Sequence, residues 1–179
     1  MITIMSALIE VLRPIAGAER WIDAGGLLFR VGDPVFSVFL VERGEAALER
    51  VTDRGHRLIL QRARAGDVLA EPSIFAERYH CDGVALTPSL IRSAPVAVVC
   101  RALEADPLAM SVLARHLARE AQAARLRSEL LSLRRLADRL DGWLALNDGM
   151  LPPKGRWSTI AADLGVTPEA LYRELSRRR

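Results

Sequence analysis

Cysteine is nearly absent from this 179-residue chain, which holds only Cys81 and Cys100. Two thiols cannot build a disulfide framework, and there is no Cys-x-x-Cys pair for zinc or thiol redox chemistry. No apolar run approaches the roughly 20 residues that cross a bilayer. Met1–Gly17 lacks the basic start and small-residue cleavage site of a secretory signal. These absences lead us to expect a cytoplasmic protein with no membrane partner. The three histidines, His56, His80 and His116, lack the spacing of a metal cluster, and no nucleophile–base arrangement or phosphate loop is visible. No catalytic residue, metal site or cofactor is expected, and an enzyme is set aside. What remains is an ordinary globular composition, half hydrophobic and about a quarter charged, at a length that allows one good core plus a small satellite.

The net charge of +3 is unevenly placed. Residues 1–103 balance 12 arginines against 12 acidic groups, whereas residues 154–179 hold six basic and three acidic side chains and end in Arg177-Arg178-Arg179. Basic groups gathered at one end suit a phosphate backbone, because each neutralised phosphate releases counterions. A solvated tail would have the same composition.

Glycine divides the chain. Eight of the 12 glycines precede residue 84, and none lies between Gly83 and Gly142. In the first part, short apolar segments alternate with turn signals such as Gly32-Asp33-Pro34, Arg43-Gly44-Glu45 and Ala65-Gly66-Asp67. Segments at this spacing predict an antiparallel sandwich or barrel, with Leu90–Cys100 as its last strand. Thr52-Asp53-Arg54-Gly55 reads as a hairpin turn. Past residue 104 the period becomes helical. Asp106 and Pro107 suit a helix start, and Met110, Leu113, Leu117, Ala121 and Ala124 form one stripe. A second stripe, Leu126 to Trp143, lies at another phase, which predicts two helices with a bend near Leu131–Leu133 and Ser132 as N-cap. The alanine-rich stripe suits either a close partner helix or the protein's own sheet.

The last segment is the most specific. Arg156–Leu175 reads as helix, tight turn, helix: Ile160, Ala161 and Leu164 face inward, Gly165 ends the first helix, and Val166 plugs the corner. Thr167 caps the second helix, Pro168 opens it, and Leu171 and Leu175 hold it to the core. Glu169, Tyr172, Arg173 and Ser176 then point outward. This is the pattern of a helix-turn-helix, whose second helix enters the major groove by its N-terminal residues. An ordinary helical hairpin shares much of it.

In this order of parts, the chain resembles the CRP/FNR regulators. The anchors are Gly25–Pro34, Phe39–Gly44 and Ala65–Glu71, whose glycines fall where that family turns. The resemblance implies an α+β fold with three parts. Residues 1–104 would form an antiparallel jelly-roll barrel of the cyclic-nucleotide-binding type. A long dimerisation helix would cover 105–131, and a helix-turn-helix domain without an evident wing 132–179. The family usually continues into a wing that touches DNA, so its lack here implies weaker binding or an incomplete chain. The implied partners are a palindromic double-stranded DNA operator, a second copy joined through the helix from Pro107, RNA polymerase, and either an unknown small-molecule effector or none.

The resemblance also carries residues over, one at a time. Glu169 matches an acidic residue that accepts from a cytosine amino group, and Arg173 an arginine that reads guanine. A further base-reading arginine is replaced by Pro168, which has no donor. Thr167, Ser176 and Tyr172 are candidates for phosphate contacts, and Arg177 completes the expected DNA-binding set. In the effector pocket, Glu71 is retained with Ser73 close by. The arginine that neutralises the cyclic phosphate is missing, however: Tyr79-His80-Cys81-Asp82-Gly83 stands there and Arg78 is out of register. Cyclic AMP is therefore not expected as the effector. His80 and Cys81 are either a thiol–imidazole sensor or ordinary packing. The resulting expectation is a dimeric sequence-specific transcription regulator. Its alternative is a regulatory or interaction module that has lost productive DNA binding.

Overall fold

The computed structural model describes residues 4–52, 55 and 57–178. The turn-rich first part forms eight strands: β1 (Arg20–Ile22), β2 (Leu27–Phe29), β3 (Ser37–Arg43), β4 (Glu45–Val51), β5 (Arg57–Arg64), β6 (Val68–Leu69), β7 (Asp82–Ala85) and β8 (Ser89–Pro95). They make two four-stranded sheets in the orders β1-β8-β3-β6 and β2-β7-β4-β5, the jelly-roll arrangement. Turn glycines make it possible. Gly44 joins β3 to β4 at φ +86°, and a Cβ there would lie 2.6 Å from the Pro88 carbonyl oxygen. Between the sheets the rings of Phe39, Phe29 and Tyr79 stack, with centroids 5.3 and 3.7 Å apart. The Tyr79 hydroxyl donates to the Ser37 carbonyl at 2.5 Å. Its burial raises the phenol's pKa against opposing backbone hydrogen bonds.

The described residues also form six α-helices: α1 (Ile4–Leu12), α2 (Val96–Ala105), α3 (Pro107–Ser132), α4 (Leu136–Leu146), α5 (Trp157–Asp163) and α6 (Pro168–Arg177). None is long and apolar enough to cross a membrane. Two sequence expectations are corrected. Leu90–Cys100 is not one strand: β8 stops at Pro95, and Val96 begins α2, which buries Val99 and Leu103 against Leu8, Leu12 and Leu113. Pro95 carries no N–H for a further ladder bond and sits in extended conformation as the α2 N-cap, so the segment turns from strand to helix there. Ser132 is not a cap for α4 but the last residue of α3, its hydroxyl donating to the Glu129 carbonyl at 2.6 Å. Arg135 takes the N-cap place of α4 without a side-chain bond. In the predicted hairpin turn, Gly55 adopts φ +76° and its N–H donates to the Thr52 carbonyl at 2.8 Å. Asp53, Arg54 and His56 lie outside the described residues.

The chain divides into two compact units. One comprises residues 1–49 and 61–121, with the two sheets, α1, α2 and the first part of α3. The other comprises residues 50–60 and 122–179, with the outer end of the β4–β5 pair, the rest of α3 and α4 to α6. Each has its own core. The first is built on Leu8, Leu12, Val38, Leu40, Leu103 and Leu113. The second is built on Leu130, Leu140, Trp157, Ile160, Leu164 and Leu171.

Candidate nucleic-acid interface and effector site

In the second unit, α5 and α6 meet at a turn whose geometry follows from its residues. Gly165 adopts φ +64°. Its N–H donates to the Ala162 carbonyl at 3.2 Å, and the Val166 N–H to the Ala161 carbonyl at 2.9 Å. These are the paired bonds of a Schellman ending, which satisfy carbonyls that would otherwise be orphaned. Arg139 adds a third, donating to the Leu164 carbonyl at 3.0 Å and to the Leu133 carbonyl at 2.7 Å. Thr167 then caps α6, its Oγ1 accepting from the Ala170 N–H at 3.3 Å. That hydroxyl is engaged in the cap, which competes with the phosphate contact expected of it.

Leu171 and Leu175 are buried and fix the rotation of α6, which leaves Glu169, Tyr172, Arg173, Ser176 and Arg177 exposed. Glu169 and Arg173 stand four residues apart on this face. The Glu169 carboxylate lies below its ordinary pKa, held by a hydrogen bond from its own backbone N–H, then by the Thr167 hydroxyl and the Arg173 charge, with slight burial opposing. It is therefore an ionised acceptor at neutral pH. Arg173 has no hydrogen-bond partner among the described residues. Tyr172 rests its ring 5.2 Å from that of Trp157, and the Ser176 hydroxyl donates to the Tyr172 carbonyl at 2.8 Å. Arg178, by contrast, is committed to the fold, bonding Asp141 at 2.5 Å, Glu174 at 2.9 Å and the Ala137 carbonyl at 2.8 Å.

The expected effector residues lie in the first unit. Ala70 adopts the left-handed conformation at φ +67° that a glycine would take without strain. It opens a short 3-10 helix, Glu71–Phe75, in which Glu71, Ser73 and Ile74 are buried. Glu71 is fully shielded from solvent. Its Oε1 accepts from Gln61 Nε2 at 2.9 Å and pairs with His116 Nε2 at 2.7 Å, whereas its Oε2 has no hydrogen-bond partner among the described residues. Burial lowers the His116 pKa, but the hydrogen bond and charge of Glu71, with the charges of Glu120 and Asp67, outweigh it and raise the value overall. The Ser73 N–H donates to the Ala70 carbonyl at 3.0 Å and so closes the 3-10 turn.

His80 and Cys81 are not brought to one surface: His80 is exposed and Cys81 buried. The Arg78 guanidinium donates to the Gly32 carbonyl at 2.7 Å. Among the described residues, no group of three or more His, Cys, Asp or Glu side chains could hold a metal ion.

Gln61 and His116 were not foreseen as partners of Glu71. One signal was available for the second. His116 falls at the inward position of a helical stripe with Ala109, Leu113 and Glu120, where an apolar residue would be usual.

A two-sheet roll, a long helix shared by both units and an α5–turn–α6 motif define the architecture of the CRP/FNR regulators. Residues 19–106, which span the two sheets, match the cyclic nucleotide-binding domain family. FixK2 from Bradyrhizobium japonicum superposes with a TM-score of 0.77 at 21% identity, over 91% of this chain and 84% of that one. The c-di-GMP-responsive regulator CLP of Xanthomonas campestris gives 0.77 at 17% identity, over 96% and 90%. Electron transport regulator A of Shewanella oneidensis is 24% identical, over 94% of this chain and 72% of its own. The last two are named as regulators.

Proposed function

We propose that the chain is a homodimeric, sequence-specific DNA-binding transcription regulator acting in the cytoplasm, with an effector other than cyclic AMP. The observation that carries this reading is the exposed Glu169–Arg173 pair near the start of α6, on a helix whose rotation Leu171 and Leu175 fix. A carboxylate acceptor and a guanidinium donor one helical turn apart suit the cytosine amino group and the two guanine acceptors of the major groove. In this reading residues 1–104 sense, 105–131 pair the two copies and 132–179 read DNA, with RNA polymerase as a further partner. Ala114, Ala118, Ala121 and Ala124 of α3 are exposed, and small side chains let a twin helix approach closely. Two recognition helices would then enter successive major grooves about 34 Å apart.

The test is selection from a random duplex pool with the purified chain, together with its mass by sedimentation. Enrichment of a twofold-symmetric motif by a dimer supports the reading. A monomer that enriches nothing overturns it in favour of a regulatory or interaction module, the role that Pro168, a non-donor at a base-reading position, would suit.

Cyclic AMP is expected not to bind below millimolar concentration in a calorimetric titration. Glu71 Oε1, the acceptor that the resemblance assigns to a ribose hydroxyl, already receives two donors from the chain. The resemblance also supplies no arginine for the cyclic phosphate, and an unpaired phosphate charge in a partly buried site is costly. A micromolar isotherm would contradict this.

A further inference from the structure

We propose that the Glu71–His116 pair is a proton-operated latch holding the first part of α3 on the β-roll, so that the ligand read at this site is the proton. The inference rests on the regulatory reading above and specifies how its effector site works. The two residues are 45 positions apart in sequence, one in the 3-10 helix after β6 and the other on α3, and both are buried. Gln61 of β5 donates to the same Glu71 oxygen, so three separate elements meet at one atom. The second oxygen is buried and has no hydrogen-bond partner among the described residues. The chain therefore supplies from within the donors that a ligand hydroxyl would otherwise bring.

The charges around the imidazole decide how the latch responds. Facing it are Glu71 from the 3-10 helix, Asp67 from the turn between β5 and β6, and Glu120 from α3 itself, with Arg64 beside Asp67. When protonated, His116 sets a cation directly on Glu71, its Nε2 lying 2.7 Å from Oε1. Loss of that proton leaves a buried carboxylate with one orphaned oxygen and further acidic groups close by. A buried charge without its partner is strongly destabilising.

The direction follows from the sign of the shift. The His116 pKa is raised on folding, so its contribution is complete below the unfolded value of about 6.5 and is lost as pH rises through the folded value. The latch is closed in acid and loosens in alkali. The α3 helix runs without a break from Pro107 to Ser132, and its residues from 122 onward belong to the second unit, so a change at residue 116 acts on a helix common to both. Asp67 is also raised, chiefly by burial, and shifts stability with pH in the same direction. The comparison therefore needs a variant reference as well as the native chain.

The experiment has three arms on the full chain. A histidine-selective NMR titration of the native protein, with the resonance assigned by His116→Gln, should place His116 above about 6.5, and in Glu71→Gln its titration should fall. A native value at or below 6.5 overturns the latch. Melting between pH 6 and pH 9 should drop by roughly 3 °C or more beyond the drop seen in His116→Gln. Parallel pH profiles in the two proteins also overturn it. DNA affinity, measured at pH 6 and pH 8.5 on the selected site, should change at least several-fold more in the native chain than in His116→Gln. A titrating, melting-coupled His116 in a chain that selects no DNA supports the latch and overturns the DNA-binding reading instead.

Discussion

Leu171→Ala is expected to lower the stability of the C-terminal unit by about 2–5 kcal/mol while leaving the β-roll folded. Leu171 is completely buried among Leu130, Leu140, Trp157, Ile160, Ala161, Leu164 and Leu175. Truncating it removes apolar area and leaves a cavity, and the small helices around it have few other contacts with which to collapse into the gap. Set against the 5–15 kcal/mol typical of a whole native domain, that loss is large. Trp157 shares the cluster and Trp143 packs against it, whereas Trp21 is an exposed residue of β1. Tryptophan emission in a urea titration should therefore shift to lower midpoint in the variant, while the sheet signal in circular dichroism keeps its native transition. A change below about 0.5 kcal/mol in the emission transition would show that Leu171 does not anchor α6.

The readiness with which this part of the chain can be read from sequence has a physical cause. Gly165, Thr167-Pro168 and the Leu171/Leu175 spacing act within one or two helical turns of themselves, so each announces a local geometry: a left-handed ending, a cap, a buried face. The turns of the roll are legible for the same reason, since Gly32, Gly44 and Gly66 all take positive φ. What the residues do not announce is pairing at a distance. Glu71 was visible as a candidate pocket acceptor, but that Gln61 and His116 satisfy it depends on where β5 and α3 pass, and no local pattern encodes that. The β8-to-α2 change at Pro95 failed for a different reason. Val96, Val98 and Val99 have strand propensity, yet the helical placement of Val99 and Leu103 buries them against Leu8 and Leu12, and tertiary packing outweighs propensity. For His80 and Cys81 adjacency in sequence does not carry burial with it: the first is exposed and the second buried.

Arg173→Ala is expected to cost about 1–3 kcal/mol on the preferred duplex, roughly a five- to hundredfold loss in affinity, and to relax its guanine preference at one position per half-site. The argument begins with what holds the side chain in place. Leu171 and Leu175 set the rotation of α6, the Thr167 cap fixes its start, and the Arg139 bonds to the Leu133 and Leu164 carbonyls steady the corner before it. On that frame Arg173 is exposed and lacks a hydrogen-bond partner among the described residues, so its two parallel donors are open to the O6 and N7 of a guanine. Glu169, one turn earlier, keeps the ionised form that accepts from a cytosine amino group and sets the register of the pair. Two neighbouring arginines distinguish base reading from mere charge. Arg177→Ala, at an exposed position, should weaken binding about equally on all sequences and reduce the slope of affinity against salt by about one. Arg178→Ala should act through stability, because Arg178 ties the end of α6 to Asp141 and the Ala137 carbonyl of α4. Competition titrations on the preferred site and on single-base variants of it, at two salt concentrations, separate the three behaviours. If Arg173→Ala instead weakened every sequence equally, Arg173 would be a phosphate contact and the recognition surface would have to lie elsewhere on α6.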